Sequence, residues 1–219
     1  MASVQDALHM LQSYAHPDHV DGMARFGMTP DARLGVSVVD MRRIAKSLGR
    51  DHGLALALWE TGIPDARILA SMVDDAAQLT EEQMERWVAD FNSWDVCDQV
   101  CMNLFDKSPL AWRKVGEWAQ RDEEFVRRAA YALIACLAWH DKSASDEAFA
   151  AFFPIIRAGA TDGRNFVRKA VSWALRQVGK RNENLRRAAL DTARDIGQMD
   201  SKSARWIASD VIRELEKRG

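Results

Sequence analysis

The segment Phe125-Val-Arg-Arg-Ala129 recurs as Phe166-Val-Arg-Lys-Ala170, an offset of 41 residues. Self-similarity at that distance is the mark of HEAT or armadillo units, which run to about 40 to 47 residues. A unit of this size cannot bury its apolar face alone and must stack on its neighbours, so the chain is confined to architectures made by stacking. Leu185-Arg-Arg-Ala-Ala189 and Ala66-Arg-Ile-Leu-Ala70 are looser echoes. In each, an apolar residue or alanine precedes basic positions, and small residues follow that let helices approach closely.

The hydrophobic period identifies the stacked element. Apolar residues fall at i, i+3, i+4 and i+7 through long windows, which is the helical signature. It predicts helices over 3–15, 17–26, 37–48, 52–61, 64–76, 80–91, 93–105, 108–120, 122–140, 145–159, 164–180, 182–197 and 200–217. Thr80 followed by Gln83 reads as a capping box, and Pro64 and Pro109 stand early in their helices. No β-hairpin pattern intervenes. The expected fold is therefore all-α, a single curved α-solenoid of degenerate HEAT-like repeats (an α-α superhelix). No linker or low-complexity stretch interrupts it, so residues 1–219 are read as one domain.

At 47% hydrophobic residues the chain has material for a sizeable core. No stretch approaches the roughly 18 apolar residues of a membrane span. The order of an export signal, basic then apolar, is missing from residues 1–10. A cytoplasmic, nucleoid-associated location in a bacterium and no membrane partner are the expectation. Cys97, Cys101 and Cys136 are read as reduced core thiols. His16 with His19, and Cys97 with Cys101, are incomplete ligand sets, so no metal is expected. Gly-rich phosphate loops, His-Glu-x-x-His and Gly-x-Ser-x-Gly are absent from the sequence.

A net charge of −2 conceals a polarity. Residues 1–112 carry 9 Lys+Arg against 17 Asp+Glu, and residues 113–219 carry 21 against 15. One basic surface for a polyanion explains this, and so does internal pairing of the two halves. The imbalance peaks over 164–187, where Arg164, Arg168, Lys169, Arg176, Lys180, Arg181, Arg186 and Arg187 face Glu183 as the only acid. Such cations would bind phosphates and confer salt sensitivity without reading bases.

Three constellations carry candidate chemistry. Lys169, Trp173, Arg176 and Lys180 form a stripe roughly opposite the apolar face of their helix. Trp173 there suits a nucleotide or a cationic purine, through stacking or cation–π contact, or else packs on the neighbouring repeat. In Ser93-Trp-Asp-Val-Cys-Asp98, Ser93 is the expected N-cap, Asp95 meets the helix dipole, and Trp94 and Asp98 are i, i+4 neighbours. A carboxylate beside an indole can stabilise developing positive charge on a sugar and orient a water. The alternative is helix-end stabilisation with interhelical packing. Arg128 lies at the edge of the stripe Phe125, Ala129, Ala132 and Leu133, within reach of a phosphate, of Asp98 or of a purely structural acid.

Gly35-Val-Ser-Val-Val-Asp-Met-Arg-Arg43, Ser93-Trp-Asp-x-x-Asp98, Phe125-Val-x-Arg128 and Lys169-Ala-x-x-Trp173-x-x-Arg176 occur in the order and approximate spacing of a known family. Over roughly residues 20–185 the chain resembles the HEAT-like-repeat alkylpurine DNA glycosylases, the AlkD family. The resemblance implies binding of double-stranded DNA containing alkylated bases and hydrolysis of the N-glycosidic bond of N3- and N7-alkylated purines. It also implies action as a monomer without metal, cofactor or obligate protein partner. Trp94 and Trp173 would face the lesion deoxyribose, Asp98 would stabilise oxocarbenium character and position water, and Arg128 would hold the backbone. Phe26 stands where the family often has Tyr, keeping an aromatic DNA contact without its hydroxyl. A noncatalytic DNA binder and a protein-interaction scaffold are the competing classes.

Overall fold

The computed structural model describes residues 2–217, which are helical with no strand among them. They divide into two compact units, Met1–Ser108 and Pro109–Gly219. The boundary coincides with the charge polarity, because residues 109–112 carry no charge: the first unit is the acidic half and the second the basic half.

The first unit contains α1 (Val4–Ser13), α2 (Pro17–Arg25), α3 (Val38–Leu48), α4 (His52–Trp59), α5 (Pro64–Val73), α6 (Glu81–Ala89) and α7 (Trp94–Asn103). A single 3₁₀ turn, Phe105–Lys107, follows. Helices α3, α5 and α7 pack side by side, and α4 lies against α5. Starts are set by side-chain oxygens that satisfy otherwise orphaned N–H groups. Ser3, Ser37, Asp51 and Thr80 each accept a first-turn backbone N–H. Thr80 forms only half of the expected box, since Gln83 sends its amide to the buried Asp74 instead (2.6 Å). The core is aromatic: Trp59 and Trp87 stack at 4.0 Å, and Trp59 Nε1 donates to Asp90 (2.8 Å).

The second unit contains α8 (Ala111–Trp118), α9 (Glu124–His140), α10 (Asp146–Ala150), α11 (Phe153–Gly159), α12 (Asn165–Gly179), α13 (Glu183–Gly197) and α14 (Lys202–Glu216). The sequence repeat is a structural one. Phe125 and Phe166 meet ring to ring at 5.5 Å at one end of α9 and α12. At the other end Arg181 donates to the carbonyls of Ala138 (3.0 Å) and Asp141 (2.7 Å). The two helices therefore run parallel in register, with small residues such as Ala129, Ala132, Ala170 and Ala174 fully buried. Helix α14 repeats the relation to α12 at an offset of 38, through Ser172 to Asp210 (2.7 Å) and Arg168 over Trp206 (4.6 Å).

Among the differences from the sequence reading, two involve proline. The helix expected over 145–159 is split into α10 and α11, because Pro154 has no N–H for the Ala150 carbonyl and its ring would collide with it. Pro109 lies just outside its helix, which begins at Ala111. All three cysteines are buried. Among the described residues no helix is long and apolar enough to cross a membrane, and no group of three or more His, Cys, Asp or Glu could hold a metal ion.

Candidate nucleic-acid interface

In the first unit, the start of α7 is fastened to the loop that links α2 and α3. Arg33 forks onto Asp95 at 2.8 and 3.2 Å, with the two side chains only 2% and 12% exposed. The Arg33 Nε also donates to the Thr29 carbonyl (2.7 Å). Thr29 N donates to Ser93 Oγ (3.2 Å), and that hydroxyl donates in turn to Asp95. Ser93 thus occupies the N-cap position in extended backbone, yet its side chain makes no capping bond within the helix. The loop has taken the hydroxyl over, so Asp95 acts as the buried partner of a guanidinium rather than as a simple dipole counter-charge.

The loop's far side is held just as firmly. The buried Asp65 carboxylate, in the first turn of α5, accepts from Leu34 N and Val36 N, both at 2.9 Å. Between them Gly35 has φ +77°, and a Cβ there would stand 2.4 Å from the His16 carbonyl oxygen. Only glycine meets both conditions. The consequence is a fixed surface: the Trp94 indole donates to the Phe26 carbonyl (3.0 Å), and Phe26 itself is 76% exposed. Asp98 lies one turn beyond Trp94 on α7, and both are half-buried. The structure brings Phe26, Trp94 and Asp98 into one neighbourhood, with Asp95 committed to Arg33.

In the second unit, Arg128 is nearly buried and donates to the Phe166 carbonyl (2.6 Å), bridging α9 and α12. Trp173 is half-buried on α12, and Lys169, one turn before it, is exposed. The rest of the cationic stripe is interleaved with acids. Arg176 reaches Glu214 and lies 3.5 Å from Asp210, and Lys180 also bonds Glu214. Burial pushes the Glu214 carboxyl up, but hydrogen bonds from Lys180 and Arg176 outweigh it and hold the group at about 2.

Arg164 clasps Asp162 and the Asp122 carbonyl, and Arg127 bonds Asp162 from α9 (3.0 Å). Against the upward push of burial, these bonds bring the Asp162 carboxyl down to about 2. Arg181 caps the C-terminal carbonyls of α9 and covers the Phe149 ring at 3.9 Å. Much of the positive stripe over 164–187 is thus spent on internal ion pairs and caps, with Lys169 the clearest outward cation. A cavity of about 430 Å³ between α8, α9 and α11 contains none of the sequence-predicted site residues. Its Tyr131 hydroxyl is pushed up to about 12 by burial and stays protonated.

Residues 7–213 match the sequence pattern of the family described as DNA alkylation repair enzyme. The chain belongs to that family. No curated protein matches it. A solved structure described as "A new family of proteins related to the HEAT-like repeat DNA glycosylases with affinity for branched DNA structures" superposes with TM-score 0.79 at 19% identity. The match covers 98% of this chain and 96% of that one. A designed armadillo repeat protein in complex with a peptide gives TM-score 0.45 at 10% identity, over 97% and 91% of the two chains. The superposition at TM-score 0.79 gives the HEAT-like helical repeat expected from the 41-residue recurrence.

Within this family frame, sequence reasoning missed Arg33 and Asp65, the two residues that fix the α2–α3 loop. Asp65 follows Pro64 at the start of α5, and so looks like an ordinary acid at a helix N-terminus. Arg33 falls outside every periodic stretch. The only signal was Gly35, which opens one of the four motifs that carry the family resemblance.

Proposed function

We propose that this protein is a DNA glycosylase that hydrolyses the N-glycosidic bond of positively charged N3- or N7-alkylated purines in duplex DNA. The family match over residues 7–213 carries the reading. The geometry of α7 supports it: Asp98 lies one turn beyond the Trp94 indole, both half-buried, on a helix whose start the Arg33–Asp95 clasp fastens.

The chemistry asks little of the leaving group. An alkylated purine already carries positive charge, and the electron pair of the breaking C1′–N bond neutralises it, so no proton need be donated to the base. The developing charge is on the sugar. A carboxylate and the faces of electron-rich rings stabilise that charge where water is partly excluded. In this proposal Asp98 faces the sugar and orients the water that adds to C1′, accepting its proton, while Trp94 lines the same position. Trp173 and Phe26 are proposed as further aromatic contacts to the DNA, and Arg128 and Lys169 as contacts to its backbone. Arg164, Arg168, Arg176, Lys180 and Arg181 contribute to DNA affinity to the degree that phosphates displace their present partners.

A second reading, DNA binding without excision, is favoured by one observation. The relative that superposes at TM-score 0.79 is described by its affinity for branched DNA. Release of 7-methylguanine from a methylated duplex separates the two. Base release above the spontaneous rate, with matching abasic sites, is the expected result. Tight salt-sensitive binding with no release would replace the first reading with the second.

A further inference from the structure

Eight tryptophans divide by exposure, and one stands apart. Trp59, Trp87 and Trp118 are buried, while Trp139, at the C-terminal end of α9, is 61% exposed. An indole left in water forgoes much of its burial energy, so a large exposed ring has to be accounted for. Its surroundings are cationic. Lys142 Nζ lies 5.5 Å from the ring centroid. A shallow recess of about 180 Å³ is bounded by Trp139, Lys142, Gln177, Lys180 and Arg181. Arg181 spends its terminal nitrogens on carbonyls, but its buried Nε has no acceptor.

The recess adjoins the candidate residues of α12. On α12, Gln177 is one turn beyond Trp173. Both side chains are half-buried there, whereas residues 128–138 of α9 are buried, so it is along α12 that the recess meets Trp173.

We infer that Trp139 is a stacking platform for an unpaired DNA base, with Lys142 meeting the adjoining phosphate and the Gln177 amide the edge of the base. A base inside a duplex has both faces covered by its neighbours, so an exposed indole can recognise only one that has left the stack. Lys142 beside the ring suits a phosphate backbone rather than an apolar protein partner. The inference rests on the DNA-binding reading above and adds a preference for DNA carrying an unpaired arm.

The test is fluorescence anisotropy with a blunt duplex and the same duplex bearing a short unpaired thymidine arm. Wild type binds the armed duplex roughly tenfold more tightly, in line with the stacking of about one base. Trp139→Ala removes that preference while leaving blunt-duplex affinity within about twofold, and Trp139→Phe restores most of it. Lys142→Ala lowers the salt slope on the armed probe by about 1. Equal wild-type affinity for both probes, or an arm preference that survives Trp139→Ala, overturns the inference and leaves the function standing. Equal weakening on both probes overturns it too. If neither probe binds, the DNA reading itself has failed, and this inference with it.

Discussion

Replacing Arg33 by Met tests whether the α2–α3 loop is the device that presents Trp94 and Asp98. The substitution keeps the length of the stem and deletes the guanidinium. It removes two charge-assisted hydrogen bonds to Asp95, at 2.8 and 3.2 Å, and one to the Thr29 carbonyl. Breaking a buried pair from one side costs about 3–5 kcal/mol, because the remaining charge is left uncompensated. Asp95 would keep the Ser93 hydroxyl and the positive end of α7, which places the expected loss near the lower bound, about 3 kcal/mol. For a chain of this length that corresponds to a fall in Tm of about 6–12 °C. The assay is a double-mutant cycle by urea unfolding with Arg33→Met, Asp95→Asn and the two combined. Once the carboxylate charge is gone the guanidinium has nothing to balance, so the double variant should be less destabilised than the sum by more than about 1 kcal/mol. Costs that add within about 0.5 kcal/mol would refute the reasoning.

Other perturbations follow from the same geometry. Gly35→Ala demands a left-handed backbone from an L-residue and drives a methyl to within 2.4 Å of the His16 carbonyl, so it should lose at least about 2 kcal/mol and open the 26–36 segment to proteolysis. A variant as stable and protease-resistant as wild type would contradict it. Glu214→Gln removes the negative charge that Arg176 and Lys180 share, and the slope of log affinity for duplex DNA against log salt should steepen by about 1 to 2. An unchanged slope would mean that these cations do not face phosphates. In wild type the Glu214 carboxyl is held at about 2 in the folded protein, below its ordinary value of 4.5. Its stabilising contribution is present above that ordinary value and is lost as pH falls through 4 toward 2. The pH dependence of the urea midpoint should accordingly be shallower in Glu214→Gln over that interval.

The helical repeat was legible because it is written in local terms. The 41-residue recurrence set the distance between stacked helices, and Phe125 against Phe166 is its direct structural image. The exposure of Lys169 followed from the helical period, which set it and Trp173 on a stripe opposite the apolar face, while Trp173 itself is half-buried. What the sequence could not display was partnership across distance. Arg176 and Lys180 read as part of an unopposed basic stripe because Asp210 and Glu214, which neutralise them, stand more than thirty residues further on. Ser93 read as an N-cap because capping is a local rule, whereas its hydroxyl is claimed by Thr29 from 64 residues earlier. Composition showed the charge of the basic half, and only packing showed how much of it is already used.

The central claim is that Asp98 performs the chemistry while its surroundings bind the DNA. Its most direct test is a parallel measurement of 7-methylguanine release and duplex affinity for wild type and Asp98→Asn, which keeps the shape of the side chain and removes its charge. The account predicts release reduced by two orders of magnitude or more, about 3 kcal/mol of transition-state stabilisation, with affinity changed by less than about threefold. Undiminished release by the Asn variant, or release and affinity lost in equal measure, would contradict it.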